Sequence, residues 1–173
     1  MNFVHCQSDR HGEAIRAIFN DAILNSTALY DYRPREEATI KAWFKAKSDG
    51  GYPVLGLETD EGELMGFASF GAFRAFPAYK YSVEHSVYVA ERFRKRGVAR
   101  KLMLALIEAA QHGDFHMMIG GIDASNTASV ALHKSLGFVH CATIRQAGFK
   151  FGRWLDLEFY QLILPTPGRP VDG

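Results

Sequence analysis

The chain has 173 residues, 47% of them hydrophobic, and a formal net charge of +1, which suits one compact domain with a proper core. So small a net charge argues against a general polyanion binder such as a nucleic-acid protein. No apolar run reaches the ~18 residues of a membrane span and no signal peptide is visible. Cys6 and Cys141 lack metal-ligand spacing, so a reduced cytoplasmic protein with free thiols and no metal is expected.

In chain order, Phe3–Cys6 reads as a short strand. A helix is predicted from Ser8 or Asp9 to about Asn25, because Ile15, Ile18, Phe19, Ala22 and Ile23 fall on one face. Pro34 and its polar neighbours mark 26–36 as a loop, and a second helix follows over about Glu36–Lys47, stopping at Ser48–Gly51. Pro53–Glu58 and Glu63–Phe73 read as antiparallel strands around the turn Thr59–Gly62, and Tyr81–Val89 as a further strand. Gly97–His112 is a helix, with Val98, Leu102, Ala105, Leu106 and Ala109 at helical spacing, ended by Gly113. Then come a strand over Phe115–Asp123, a short helix over Asn126–Leu136 closed by Gly137, and strands over Phe138–Gly148 and Arg153–Leu164. Residues 165–173 form a flexible Pro/Gly-rich tail after a single domain over 1–164. Alternating strands and helices predict an α/β protein built on a mixed sheet.

The segment Glu84–Met103, EHSVYVAERFRKRGVARKLM, places Arg92, Arg94, Lys95, Arg96 and Arg100 around Gly97 at the start of a helix. Cations there oppose the helix dipole unless an anion is bound. The first-turn N–H groups have no intrahelical partners, and a strand, a glycine turn and a helix can aim them at a phosphate. The alternative is a solvated turn. Neither a Walker loop nor a GxGxxG fingerprint is present.

Arg94-x-x-Gly97-x-Ala99 resembles the acyl-CoA pyrophosphate loop of the GNAT superfamily of N-acetyltransferases. NTASVALHKSLGF, Asn126–Phe138, resembles the GNAT segment in which an asparagine contacts the pantetheine arm before a helix ending in Leu-Gly-Phe. Asn126, Val130 and His133 share one helix face, the outer two ~10 Å apart. Asn126 serves equally as a plain helix N-cap. VEHSVYV and AGFKFGRWLDLEFYQL are similar to the narrower branch of phosphinothricin and methionine sulfoximine/sulfone acetyltransferases. Many superfamily members carry tyrosine where this chain has His133, whereas the narrower branch shares the histidine.

That resemblance implies a mostly antiparallel sheet of six or seven strands with about four helices. It also implies acetyl-CoA as co-substrate, a small amino-acid analogue as acceptor and a homodimer. Carried over by position, Arg94, Lys95, Arg96, Gly97, Val98, Ala99 and Arg100 hold the pyrophosphate. Val87, Tyr88 and Val89 pair with pantetheine, as does Asn126. Arg74, Ala75, Phe76, Glu84, His85 and Ser86 line the acceptor pocket.

An α-amine must lose a proton before it attacks a thioester, and the resulting oxyanion needs donors. Glu84 is the candidate base, since it interrupts an apolar strand, where a carboxylate is costly without a role or a partner. Its other reading is an ion pair with Arg74 or Lys80. It would need burial to raise a pKa of about 4.3, or a relaying water. His85 leaves the opposite strand face and reads as a core histidine unless the strand bulges. His133 is the candidate acid for the departing thiolate, or else a half-buried helix histidine. The Val87 N–H is the natural oxyanion donor. Arg74 offers a fork for an α-carboxylate, and Phe73, Phe76, Tyr79 and Tyr81 wall an apolar slot or pack elsewhere.

These loops favour methionine sulfoximine and sulfone over phosphinothricin, whose phosphinate asks for a second cation. The rival readings are a GNAT enzyme for another small amine or a protein N-terminus, and an acyl-CoA sensor without turnover.

Overall fold

A computed structural model describes residues 1–172. In chain order its elements are β1 (Asn2–His5), α1 (Ser8–Asn25), α2 (Glu37–Asp49), β2 (Val54–Glu58), β3 (Leu64–Ala72), β4 (Ser82–Val89), α3 (Val98–His112), β5 (Met117–Asp123), α4 (Thr127–Ser135), β6 (Val139–Lys150) and β7 (Arg153–Ile163). The strands form one seven-stranded sheet in the order β1-β2-β3-β4-β5-β7-β6. Pairs β1/β2, β2/β3, β5/β7 and β6/β7 are antiparallel, and β4/β5 is parallel. This is the α/β, mostly antiparallel architecture expected.

The chain forms two compact units, 1–71 with 86–106, and 72–85 with 107 onward. In the first, the predicted apolar face of α1 is the buried one, and Ile15, Ile18 and Phe19 pack with Ile40, Val54, Leu64 and Phe67. Phe19 meets the rings of Trp43 at 5.4 Å and Phe67 at 4.9 Å edge-on, the arrangement that aromatic quadrupoles favour. Strand β2 is buried at every position, so Glu58 needs partners. Arg10 at 2.8 Å and His11 at 3.0 Å supply them.

In the second unit, β6 and β7 form a long hairpin. Its turn residues Phe151 (φ 52°) and Gly152 (φ 72°) both take the left-handed conformation that right-twisted strands require of a two-residue loop. Strand β6 ends the sheet and is exposed along most of its length. Residues 165–172, expected to belong to a flexible tail, lack regular structure but are hydrogen-bonded to the unit. The Thr166 hydroxyl donates to the Phe115 carbonyl, and Val171 N–H donates to the Tyr81 hydroxyl at 3.1 Å.

Candidate active site

Strand β4 carries functional residues into both units, and its alternation sorts them. Val83 and His85 are buried, while Glu84 and Ser86 are half-buried. The parallel pairs Ser82–Met117, Val83–Met118 and Glu84–Ile119 set β4 against β5, which carries Gly120 and Gly121 just beyond. A Cβ on Gly120 would stand 2.5 Å from His85 Nε2 and 3.3 Å from His133 Nε2. A Cβ on Gly121 would stand 3.5 Å from Glu84 Oε1. Gly120 therefore leaves room for the His85 ring, the Gly121–Glu84 spacing is an ordinary contact, and Glu84 and His85 take opposite faces as the strand period requires.

His85 and His133 stack with ring centroids 5.0 Å apart, and their Nε2 atoms lie 3.1 Å apart. Phe138 sits edge-on to both rings, at 5.4 and 5.1 Å. The tautomers follow from the partners. His133 Nδ1 lies 2.7 Å from the Ser129 carbonyl, which can only accept, so Nδ1 carries hydrogen. A neutral His133 then accepts at Nε2, and His85 donates from its own Nε2. That leaves His85 Nδ1 as a bare acceptor, and it is indeed buried without a hydrogen-bond partner. Burial, with His133 alongside, pushes the His85 pKa down to about 3, and burial also lowers that of His133. Both rings are neutral at neutral pH. His133, expected as an acid facing the leaving thiolate, instead has both nitrogens engaged inside the protein.

Glu84 is different. Burial raises its pKa and the nearby Arg74 guanidinium opposes that shift. A carboxylate moved upward is a better proton acceptor for an ammonium. Arg74 is exposed, lies over the Phe73 ring at 4.2 Å and donates to the Phe73 carbonyl at 2.8 Å. Ala75 and Phe76, expected to line the acceptor pocket, are exposed just before the 3-10 turn Pro77–Tyr79, with Phe76 74% exposed.

The basic turn before α3 resolves into two groups. Arg92 pairs with Glu63. Arg94 pairs with Asp21 at 2.6 Å and donates to the Val89 carbonyl at 3.3 Å, so its fork ties the turn to α1 and to the end of β4. Lys95, Arg96 and Arg100 are exposed and have no carboxylate partner among the described residues. Lys95 (φ 61°) and Gly97 (φ 77°) are left-handed, a geometry that bends successive amides toward a common concavity. A side chain on Gly97 would meet nothing within 4 Å, so the glycine serves the φ angle. The first bond of α3 is Lys101 N–H to the Gly97 carbonyl at 3.1 Å. The amides of Val98, Ala99 and Arg100 thus have no carbonyl a turn earlier. Free amides beside three unpaired cations fit a diphosphate.

Tyr88, expected at the cofactor, turns its ring into the core, 5.1 Å from Phe19 and 5.6 Å from Phe67, so only its backbone is available. Gly66 on β3 permits close approach there, because a Cβ would lie 2.7 Å from the Tyr88 carbonyl oxygen. Asn126 is the N-cap of α4: its Oδ1 accepts from Ser129 N–H at 3.1 Å, the plainer of its two readings. Its amide NH2 points to no acceptor among the described residues. Gly120, Gly121, Ser129 and Phe138 were missed as supports, although paired glycines inside an apolar strand are a readable signal of close approach.

Residues 15–138 match the model of the acetyltransferase (GNAT) family. The L-methionine sulfoximine/L-methionine sulfone acetyltransferase of Pseudomonas paraeruginosa is 45% identical over 90% of this chain and 91% of its own. A solved structure from Acinetobacter baylyi is 54% identical, with a TM-score of 0.98 over 99% of this chain and 97% of its own. The phosphinothricin acetyltransferase of Sinorhizobium meliloti, solved in complex with acetyl-CoA, is 30% identical, with a TM-score of 0.93 over 99% of this chain and 94% of its own.

Proposed function

Because the chain belongs to the acetyltransferase (GNAT) family, we propose that it acetylates the α-amine of a small amino-acid analogue, with methionine sulfoximine and methionine sulfone preferred over phosphinothricin. The observation that carries this reading is the 45% identity to a methionine sulfoximine/sulfone acetyltransferase along nearly the whole of both chains. The Arg74 charge acting on Glu84 supports it, since an α-amino acid presents an ammonium and a carboxylate together. A polyamine would call for more acid than this.

Bound acetyl-CoA supplies an activated acetyl carbonyl. Lys95, Arg96 and Arg100, with the amides of Val98, Ala99 and Arg100, hold its diphosphate, while Arg94 positions that turn. The β4 backbone at Val87–Val89 and the Asn126 amide orient the pantetheine. Arg74 receives the acceptor's carboxylate, Glu84 takes the ammonium proton, and the Val87 N–H faces the developing oxyanion. A thiol of pKa about 8.5 leaves readily near neutrality. His133 then need not protonate it directly, and it acts by fixing His85. Ser86 completes the acceptor side.

We place the enzyme in the reduced cytoplasm, in keeping with its free Cys6 and Cys141. It works as a homodimer, for which the exposed edge hairpin with Val139, Ile144 and Trp154 offers a surface. Steady-state rates across methionine sulfoximine, methionine sulfone, phosphinothricin and spermidine test the assignment. The first two should show the highest kcat/KM, and a preference for spermidine would refute it.

A further inference from the structure

The lysines of α2 are not alike. Lys41 pairs with Glu37 and Lys45 with Asp49, each at 2.6 Å on exposed positions. Lys47 has no carboxylate partner among the described residues. Its half-buried Nζ donates to the Phe70 carbonyl at 2.8 Å and lies 5.7 Å from the Trp43 ring and 5.9 Å from the Tyr52 ring. The neighbouring Gly71 offers no side chain, and a Cβ there would stand 3.2 Å from Nζ. The amine is partly withdrawn from water, and on the Gly71 side it meets backbone rather than a side chain.

We propose that Lys47 is itself an acylation site, taking an acetyl group from a thioester such as acetyl-CoA. In the step, the Nζ lone pair attacks the thioester carbonyl carbon and an N–C bond forms. The C–S bond then breaks, and the sulfur leaves with the electron pair and the proton that Nζ gives up. The amide product keeps one N–H, so the bond to the Phe70 carbonyl survives.

Withdrawal from water without a counter-charge disfavours the ammonium. Burial alone brings the Lys47 pKa from 10.5 to about 8, and no charged group adds to the shift. The groups that face Nζ are the Phe70 carbonyl of β3, the Trp43 ring of its own helix and the Tyr52 ring. At pH 7.5 the free-amine fraction is then roughly 200-fold that of an ordinary lysine. Lower basicity makes the amine a weaker nucleophile, which takes back part of that gain and leaves about tenfold or more.

The inference rests on the proposed function only for the donor. Wild-type enzyme is incubated with acetyl-CoA without acceptor, and acetylation of each lysine is followed by peptide mass spectrometry from pH 7 to 10. Lys47 should be modified at least tenfold faster than Lys41 and Lys45. Its rate should level off above about pH 8, while that of Lys41, whose pKa its partner Glu37 raises, keeps climbing. Lys47→Arg should remove that label and leave the others. Modification of Lys47 no faster than Lys41 overturns the inference. Methionine sulfone turnover in the same preparation reports separately on the proposed function.

Discussion

Replacing Gly120 by alanine puts a methyl group where two imidazoles meet. The new Cβ would lie 2.5 Å from His85 Nε2 and 3.0 Å from Cε1, so the ring must move. Moving it breaks the 3.1 Å Nε2–Nε2 contact and leaves a buried donor and acceptor unpaired. Overpacking costs about 1–3 kcal/mol and an orphaned buried polar pair a further ~1–3 kcal/mol. A loss of about 2–6 kcal/mol corresponds to a Tm lower by about 4–24 °C for a chain of this size. Gly121→Ala is the control. Its Cβ would meet only side-chain atoms, the nearest 3.3 Å away, so its Tm should stay within a few degrees of wild type. Thermal and urea unfolding of the two variants side by side is the assay. Equal stability of the two would refute the histidine-pair account.

Glu84→Gln should lower kcat/KM by about 10²–10⁴ and abolish the acidic limb of the pH–rate profile. Because the folded pKa of Glu84 is raised, its contribution to stability is present below the unfolded pKa and lost as pH rises through the folded one. The same variant should therefore be no less stable than wild type at pH 7, which differential scanning calorimetry can show. His85 and His133 have the opposite linkage: depressed histidines favour the fold above the ordinary value of 6.5, and stability falls as pH drops from there toward about 3. Urea midpoints should fall across that window, and His85→Gln should flatten the fall. Arg94→Gln and Asp21→Asn should weaken acetyl-CoA binding to the same degree and non-additively, with the wild-type salt slope, whereas Lys95→Gln should lower the slope. Calorimetric titration at several salt concentrations separates the two patterns.

Every strand and α-helix was legible, though not the 3-10 turns Pro77–Tyr79 and Glu91–Phe93, and α1 spans the Ser8–Asn25 range expected around its apolar face at 15–23. Helix α2 runs on to Asp49 rather than stopping near Lys47, because its end is set by Gly50, whose N–H returns to the Ala46 carbonyl. Glu84 was readable because a carboxylate in an apolar strand is locally conspicuous. The histidine pair was not: its members lie 48 residues apart and meet only because Gly120 lacks a side chain. The same holds for the basic turn. Its cations were visible, but only the fold shows Asp21 and Glu63 neutralising Arg94 and Arg92, leaving Lys95, Arg96 and Arg100 for an anion.

On the proposed function, the turn at Gly97 grips the diphosphate of acetyl-CoA. Backbone amide resonances of Gly97, Val98, Ala99 and Arg100, followed by NMR during titration of the folded enzyme with acetyl-CoA, test it most directly. Large, saturable shifts are expected at these amides. Unchanged resonances there at millimolar acetyl-CoA would contradict it.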